Sequence, residues 1–224
     1  MPSTRLRSPH VLGRVAVAAL GLVAVTDLLD LWAGTEVHRA AGDLAAGAGA
    51  LGGRLSPRAH RADLVHSVAG GFQSLALLGC GVVFVLWLYR VRVNAEVFDP
   101  DGHSKARAWV IAGWVVPLAN LWYPRRVILD VWDASVPAGA RPRHGLINLW
   151  WALWLVSINV GRLMTDLYDS AHTAAGFRAA AQQVMAADAV DIVAAALAIR
   201  LVLRLTRMQE QKALTQPVFA PALG

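Results

Sequence analysis

Apolar runs alternate with short polar stretches along this chain, and the runs are flanked by aromatic or basic residues. Val11 to Trp32 carries Arg14 near its start and then no charge from Val15 to Thr26. A second run, about Leu64 to Tyr89, closes on Trp87 and Tyr89, with Arg90 and Arg92 just beyond. Leu146 to about Leu167 has Trp150, Trp151 and Trp154 near its start, and about Val184 to Leu205 is apolar until Arg200, Arg204 and Arg207. At 1.5 Å per residue, each is long enough to cross roughly 30 Å of hydrocarbon as a helix. The pattern predicts an all-α polytopic membrane helix bundle with four transmembrane spans, at 11–32, 64–89, 146–167 and 184–205.

One segment breaks the pattern. Trp109 to Trp122 offers only about 21 Å of helix and contains Pro117 and Asn120 ahead of Pro124. Extending it would draw Arg125 and Arg126 into hydrocarbon, at about 2.5–3.5 kcal/mol each near the bilayer centre. A re-entrant segment over 109–124, followed by an interfacial helix over 125–135, avoids that cost. Counting basic residues supports this. With four spans and residues 1–10 inside, only Arg39, Arg54, Arg58, Arg61, Arg162 and Arg178 fall outside, against the remaining fifteen of the 21 Lys and Arg inside. If the central segment crosses, the better orientation is twelve against nine.

Composition agrees with a membrane protein. The 224 residues are 56% hydrophobic and 16% charged, with a mean hydropathy of +0.46. That excludes a disordered or nucleic-acid-coating chain and points away from an ordinary soluble globule. The net charge of +6 is explained mostly by orientation in a membrane, so no nucleic-acid partner is implied. The basic start and first apolar run also fit a signal peptide, but no small-x-small cleavage pattern closes that run, and retention as a span is the expectation. A single cysteine, Cys80, excludes an internal disulfide and any multi-cysteine zinc site.

The domain organisation expected is a cytoplasmic tail over 1–10, one membrane domain over 11–207, and a disordered cytoplasmic tail over 208–224. Between the first two spans lies an Ala/Gly-rich stretch, Ala40 to Gly53, with a Gly47-x-Gly49-x-x-Gly52 spacing. Dinucleotide binding by that spacing needs a strand before it, which an all-helical chain does not offer. Ser67/Gly71 and Gly70/Ser74 put small residues at i, i+4 and allow close helix approach within the chain or in a homo-oligomer.

The stretch Gly113-Trp114-Val115-Val116-Pro117-Leu118-Ala119-Asn120-Leu121-Trp122-Tyr123-Pro124, followed by Asp130-Val131-Trp132-Asp133-Ala134-Ser135, resembles the DUF4328 family of bacterial, mostly actinobacterial, membrane proteins. The likeness extends to Leu86–Asn94 upstream and Trp150–Trp154 downstream, from about Gly71 to Arg207 overall. It implies a membrane architecture and supplies no reaction.

Candidate chemistry lies in the acids. Eight of the twelve aspartates form four Asp-x-x-Asp pairs: Asp27/Asp30, Asp130/Asp133, Asp166/Asp169 and Asp188/Asp191. On a helix, i and i+3 share a face, so each pair presents two carboxylates together. In the four-span topology, all but Asp130/Asp133 stand near the outer ends of their helices. An outer acidic cluster of Asp27, Asp30, Asp166, Asp169, Asp188 and Asp191 would bind protons, a divalent cation or a cationic headgroup. The rival reading has them as interfacial acids. A second candidate set, Asn120, Arg125, Arg126, Asp130 and Asp133, would line a polar pocket at the cytoplasmic face, or else pair internally on an interfacial helix.

The seven histidines form no His-x-x-x-His or Cys/His cluster, and no nucleophile elbow or Walker A loop is present. No catalytic residue or metal ligand is assigned and no cofactor is indicated. The leading expectation is a non-catalytic membrane protein that binds lipids or a membrane-protein partner, itself included. A small proton- or cation-coupled transporter is the first alternative. A membrane-embedded enzyme acting on a lipid or isoprenoid, requiring Mg²⁺, is the second.

Overall fold

A computed structural model describes residues 6–45, 50–51, 54–55, 57–137, 139–169 and 173–215. The described chain is helical: α1 (His10–Ala45), α2 (Pro57–Phe98), α3 (Trp109–Val115), α4 (Tyr123–Ser135), α5 (Gly145–Asp169) and α6 (Ala174–Thr215). A 3₁₀ turn covers Ala119–Leu121, and a minimal antiparallel ladder pairs β1 (Ala50–Leu51) with β2 (Arg54–Leu55). The Gly47, Gly49 and Gly52 spacing lies outside the described residues, as does the tail from 216.

Two helices are long and apolar enough to cross a membrane: His10–Ala40 in α1 and Ser67–Phe98 in α2. A shorter apolar helix covers Gly145–Val160. The long helices overrun the predicted spans because bilayer thickness limits the apolar run, whereas helix hydrogen bonding continues through any good helix former. α1 continues through the Ala- and Arg-bearing residues after Trp32, and α2 starts at Pro57, whose missing N–H costs nothing in a first turn. Residues 208–215, expected in a disordered tail, are the last turns of α6. Gln209 is buried there, bonded to the side chains of Asn94 and Ser135 and to the Val91 carbonyl, which holds the helix together beyond its apolar run.

The chain forms two compact units, and α1, α2, α5 and α6 each contribute to both. Unit 1 comprises residues 1–19, 80–151 and 197–224; unit 2 comprises 20–79 and 152–196.

Unit 1 has a large-residue core of Trp87, Leu88, Ile128, Trp132, Ile147 and Leu201. Within it, α3 ends where Val116 turns extended, the conformation favoured before a proline, and the chain reverses at Pro117. The reversal brings its two flanks together. The Lys105 ammonium lies 4.4 Å from the Tyr123 ring centre, and Ser104 Oγ donates to Asp130 at 2.6 Å. Trp109 meets Tyr123 edge-on, and Gly113 suits this close approach, since a Cβ there would stand 3.3 Å from Tyr123 Cβ. The helix expected over 125–135 is present as α4, and most of it packs against the rest of unit 1. Nine of its thirteen residues are buried, including Asp130 and Trp132.

Unit 2 is built from small residues. Ala33, Ala181, Ala187 and Ala194 are buried, and a Cβ on Gly34 would come within 2.9 Å of Met185 Cγ, so α1 and α6 approach closely there. Its polarity runs opposite to that of a soluble core: Asp27 is fully buried while Leu75 and Leu78 are about 70% exposed. Among the described residues, a Cβ on Gly70 or Gly71 of α2 meets nothing within 4 Å.

Candidate functional site

Unit 2 gathers four of the six predicted outer carboxylates. Asp27 and Asp30 lie one helical turn apart on α1, and Asp188 and Asp191 repeat that spacing on α6. Asp27, Asp30 and Asp188 are buried, and Asp188 interacts electrostatically with the other three. The side chains of Asp166 and Asp169, on α5, lie outside the described residues.

Two polar residues complete this site. Gln73 Nε2 of α2 donates to Asp27 Oδ1 at 2.7 Å and acts on Asp188 as well. Ser157 of α5 donates to Asp191 Oδ1. Oδ2 of Asp27 and Oδ2 of Asp188 are buried without a hydrogen-bond partner among the described residues. Such an orphaned acceptor is costly away from water unless a proton or cation sits on it. Among the described residues, no three His, Cys, Asp or Glu side chains are spaced to hold a metal ion.

The second predicted set is divided among separate partners. Asp130, buried on α4, accepts from Ser104 N at 2.8 Å and Ser104 Oγ, and pairs with Arg126 Nε at 3.3 Å. Arg125 donates to Asn148 Oδ1 at 2.7 Å, and Asp133 pairs with His144 Nε2 at 2.6 Å. Asn120 sits in the 3₁₀ turn, and among the described residues no hydrogen bond joins it to the other four. Asp130 therefore fastens the loop ahead of α3, and Asp133 fastens the segment ahead of α5. Each carboxylate thus has protein partners of its own.

Beside this set, Glu96 pairs with Arg92 Nη1 at 2.7 Å and with Arg107. The Glu96 hydrogen bond raises the Arg107 pKa further above its ordinary value. His103 is held below its ordinary value by burial first and the Arg92 guanidinium second, which keeps it neutral.

Sequence spacing exposed the aspartates but missed Gln73, Ser157 and Ser104. The available signal for the first two is an uncharged polar residue inside an apolar helix, which needs a partner wherever water is absent. Ser104, in a loop, carries no such mark.

A family model described as "Domain of unknown function (DUF4328)" matches residues 54–207. Comparison with curated proteins and with solved structures returned no match.

Proposed function

The chain belongs to the DUF4328 family, and from that premise we propose that it is a multi-pass membrane protein whose buried aspartates take up protons, a small proton-coupled carrier and not an enzyme. The single observation carrying this reading is the pair of orphaned, buried oxygens on Asp27 and Asp188, beside Asp30 and Asp191. An ionised aspartate shielded from water is disfavoured, by up to about 2.5–3.5 kcal/mol at the bilayer centre and by less toward its edge. A proton shared within the cluster removes one charge and turns an orphaned acceptor into a donor for its neighbour.

Four spans, with residues 1–10 and 208–224 facing the cytoplasm, make up the topology. Its support is the two apolar helices, the outward-facing leucines of α2, and the lengths of α5 and α6, 25 and 42 residues. The third apolar segment dips in and returns, consistent with Lys105 lying over Tyr123. Cysteines placed at Lys105 and Arg143, in a chain with Cys80 replaced by alanine, are both labelled by an impermeant maleimide from the same side. Labelling from opposite sides would refute the re-entrant segment.

Proton uptake is tested by infrared difference spectroscopy of reconstituted protein between acid and alkaline solution. A protonated-carboxyl carbonyl band grows on acidification and is reduced in Asp27→Asn and in Asp188→Asn. An unchanged band in both variants, or no band in the parent protein, would sink the proposal.

A further inference from the structure

We propose that unit 1 carries a binding site for the phosphate headgroup of an anionic phospholipid, in a cleft of about 490 Å³ between the end of α4, the segment leading to α5, and the last third of α6. Five of its twelve lining residues are arginines: Arg141 and Arg143 on one wall, and Arg200, Arg204 and Arg207 on the other. None of the twelve is acidic. On α6 the three arginines follow one another by four and then three positions, so they share a face. Like charges so arranged repel, by about 0.2–0.5 kcal/mol per neighbouring pair on a helix, and the geometry is relieved when an anion enters.

The chemistry of the donors selects phosphate. A guanidinium offers a planar fork that grips two phosphate oxygens at once, and arginines on facing walls can grip one group from both sides. One of these forks is already oriented: the Arg204 guanidinium lies 5.2 Å from the ring centre of Trp132, a buried residue whose face limits its freedom.

The surroundings favour a lipid over free phosphate. Leu203, exposed between Arg200 and Arg204, and Met208 also line the cleft, so apolar side chains adjoin the basic groups. A headgroup with its acyl chains satisfies both halves of that lining, whereas a small anion satisfies only the charges. The site shares no residue with the aspartate cluster and stands independently of proton uptake.

The test uses the full chain in nanodiscs of phosphatidylcholine containing a minor share of phosphatidylglycerol, with retained lipid counted by native mass spectrometry. The parent protein enriches phosphatidylglycerol. Arg200→Gln/Arg204→Gln and Arg141→Gln/Arg143→Gln, which neutralise opposite walls at exposed positions, each lower the apparent affinity about tenfold. A control pair outside the cleft, Arg14→Gln/Arg61→Gln, leaves it unchanged, and circular dichroism checks that all variants keep their helices. Asp27→Asn retains the lipid, which separates this site from the proton site. Equal enrichment by parent and cleft variants overturns the proposal. So does displacement of the lipid by millimolar inorganic phosphate, which would make the cleft a site for a soluble anion.

Discussion

Replacing Trp87 by alanine lowers the unfolding free energy by about 3–5 kcal/mol, the range for removing a fully buried large aromatic side chain. Trp87 is fully buried in unit 1, with its ring centre 5.3 Å from that of Phe84. Its Nε1 donates to Thr206 Oγ1 at 3.2 Å, tying α2 to α6. Trp87→Phe keeps most of the volume and loses the hydrogen bond, so it costs less, about 1–2 kcal/mol. Thr206→Val combined with Trp87→Phe is less than additive if the bond contributes, because the second change then removes nothing further. Thermal unfolding in detergent, followed by helix content, ranks these variants. A Trp87→Ala protein as stable as the parent would show that this part of unit 1 is loosely packed.

The second large effect falls on Gln209. It is buried on α6, where its Oε1 accepts from Asn94 Nδ2 at 3.0 Å while its Nε2 donates to Val91 O at 2.8 Å and to Ser135 Oγ at 3.1 Å. One amide thus joins α2, α4 and α6. Gln209→Leu has a similar size but no polar atoms, and it removes three bonds at about 1 kcal/mol each while leaving buried partners under-satisfied, for a loss of about 3 kcal/mol. Adding Asn94→Leu on top costs less than it does alone, since its main buried partner is already gone. The same unfolding experiment checks both. Additive effects would mean that the two amides act independently.

The helices were legible because each unit of chain long enough to span hydrocarbon announces itself by its run of apolar residues. Their ends were not. α6 continues past Arg207 because Gln209 and Lys212 find partners on other elements, Lys212 Nζ donating to Ala134 O at 2.8 Å, and no local pattern reports such partners. The aspartate cluster was half legible: the Asp-x-x-Asp spacing fixes a shared helix face, while the meeting of α1 with α6 is a long-range event that only packing decides. Gln73 and Ser157 stood out only as polar residues in apolar helices, and nothing local tied them to the aspartates. For Asp130 and Asp133 the spacing left two readings open, a shared polar pocket or pairing within the helix, and Asp130 does pair with Arg126 four positions before it. The arginine cleft joins residues from two distant stretches of chain, and each stretch alone looks like ordinary positive-inside charge.

Asn94 also reaches the beginning of the described chain: it accepts from Arg7 N at 3.0 Å and donates to Arg7 O at 2.8 Å. Its seat for that backbone is shared with Gln209, more than a hundred positions downstream. Arg7 therefore has a seat only once Asn94 has been made, and that seat is completed only when Gln209 has followed. Closing this corner of unit 1 thus depends on residues that are far apart in the order of synthesis.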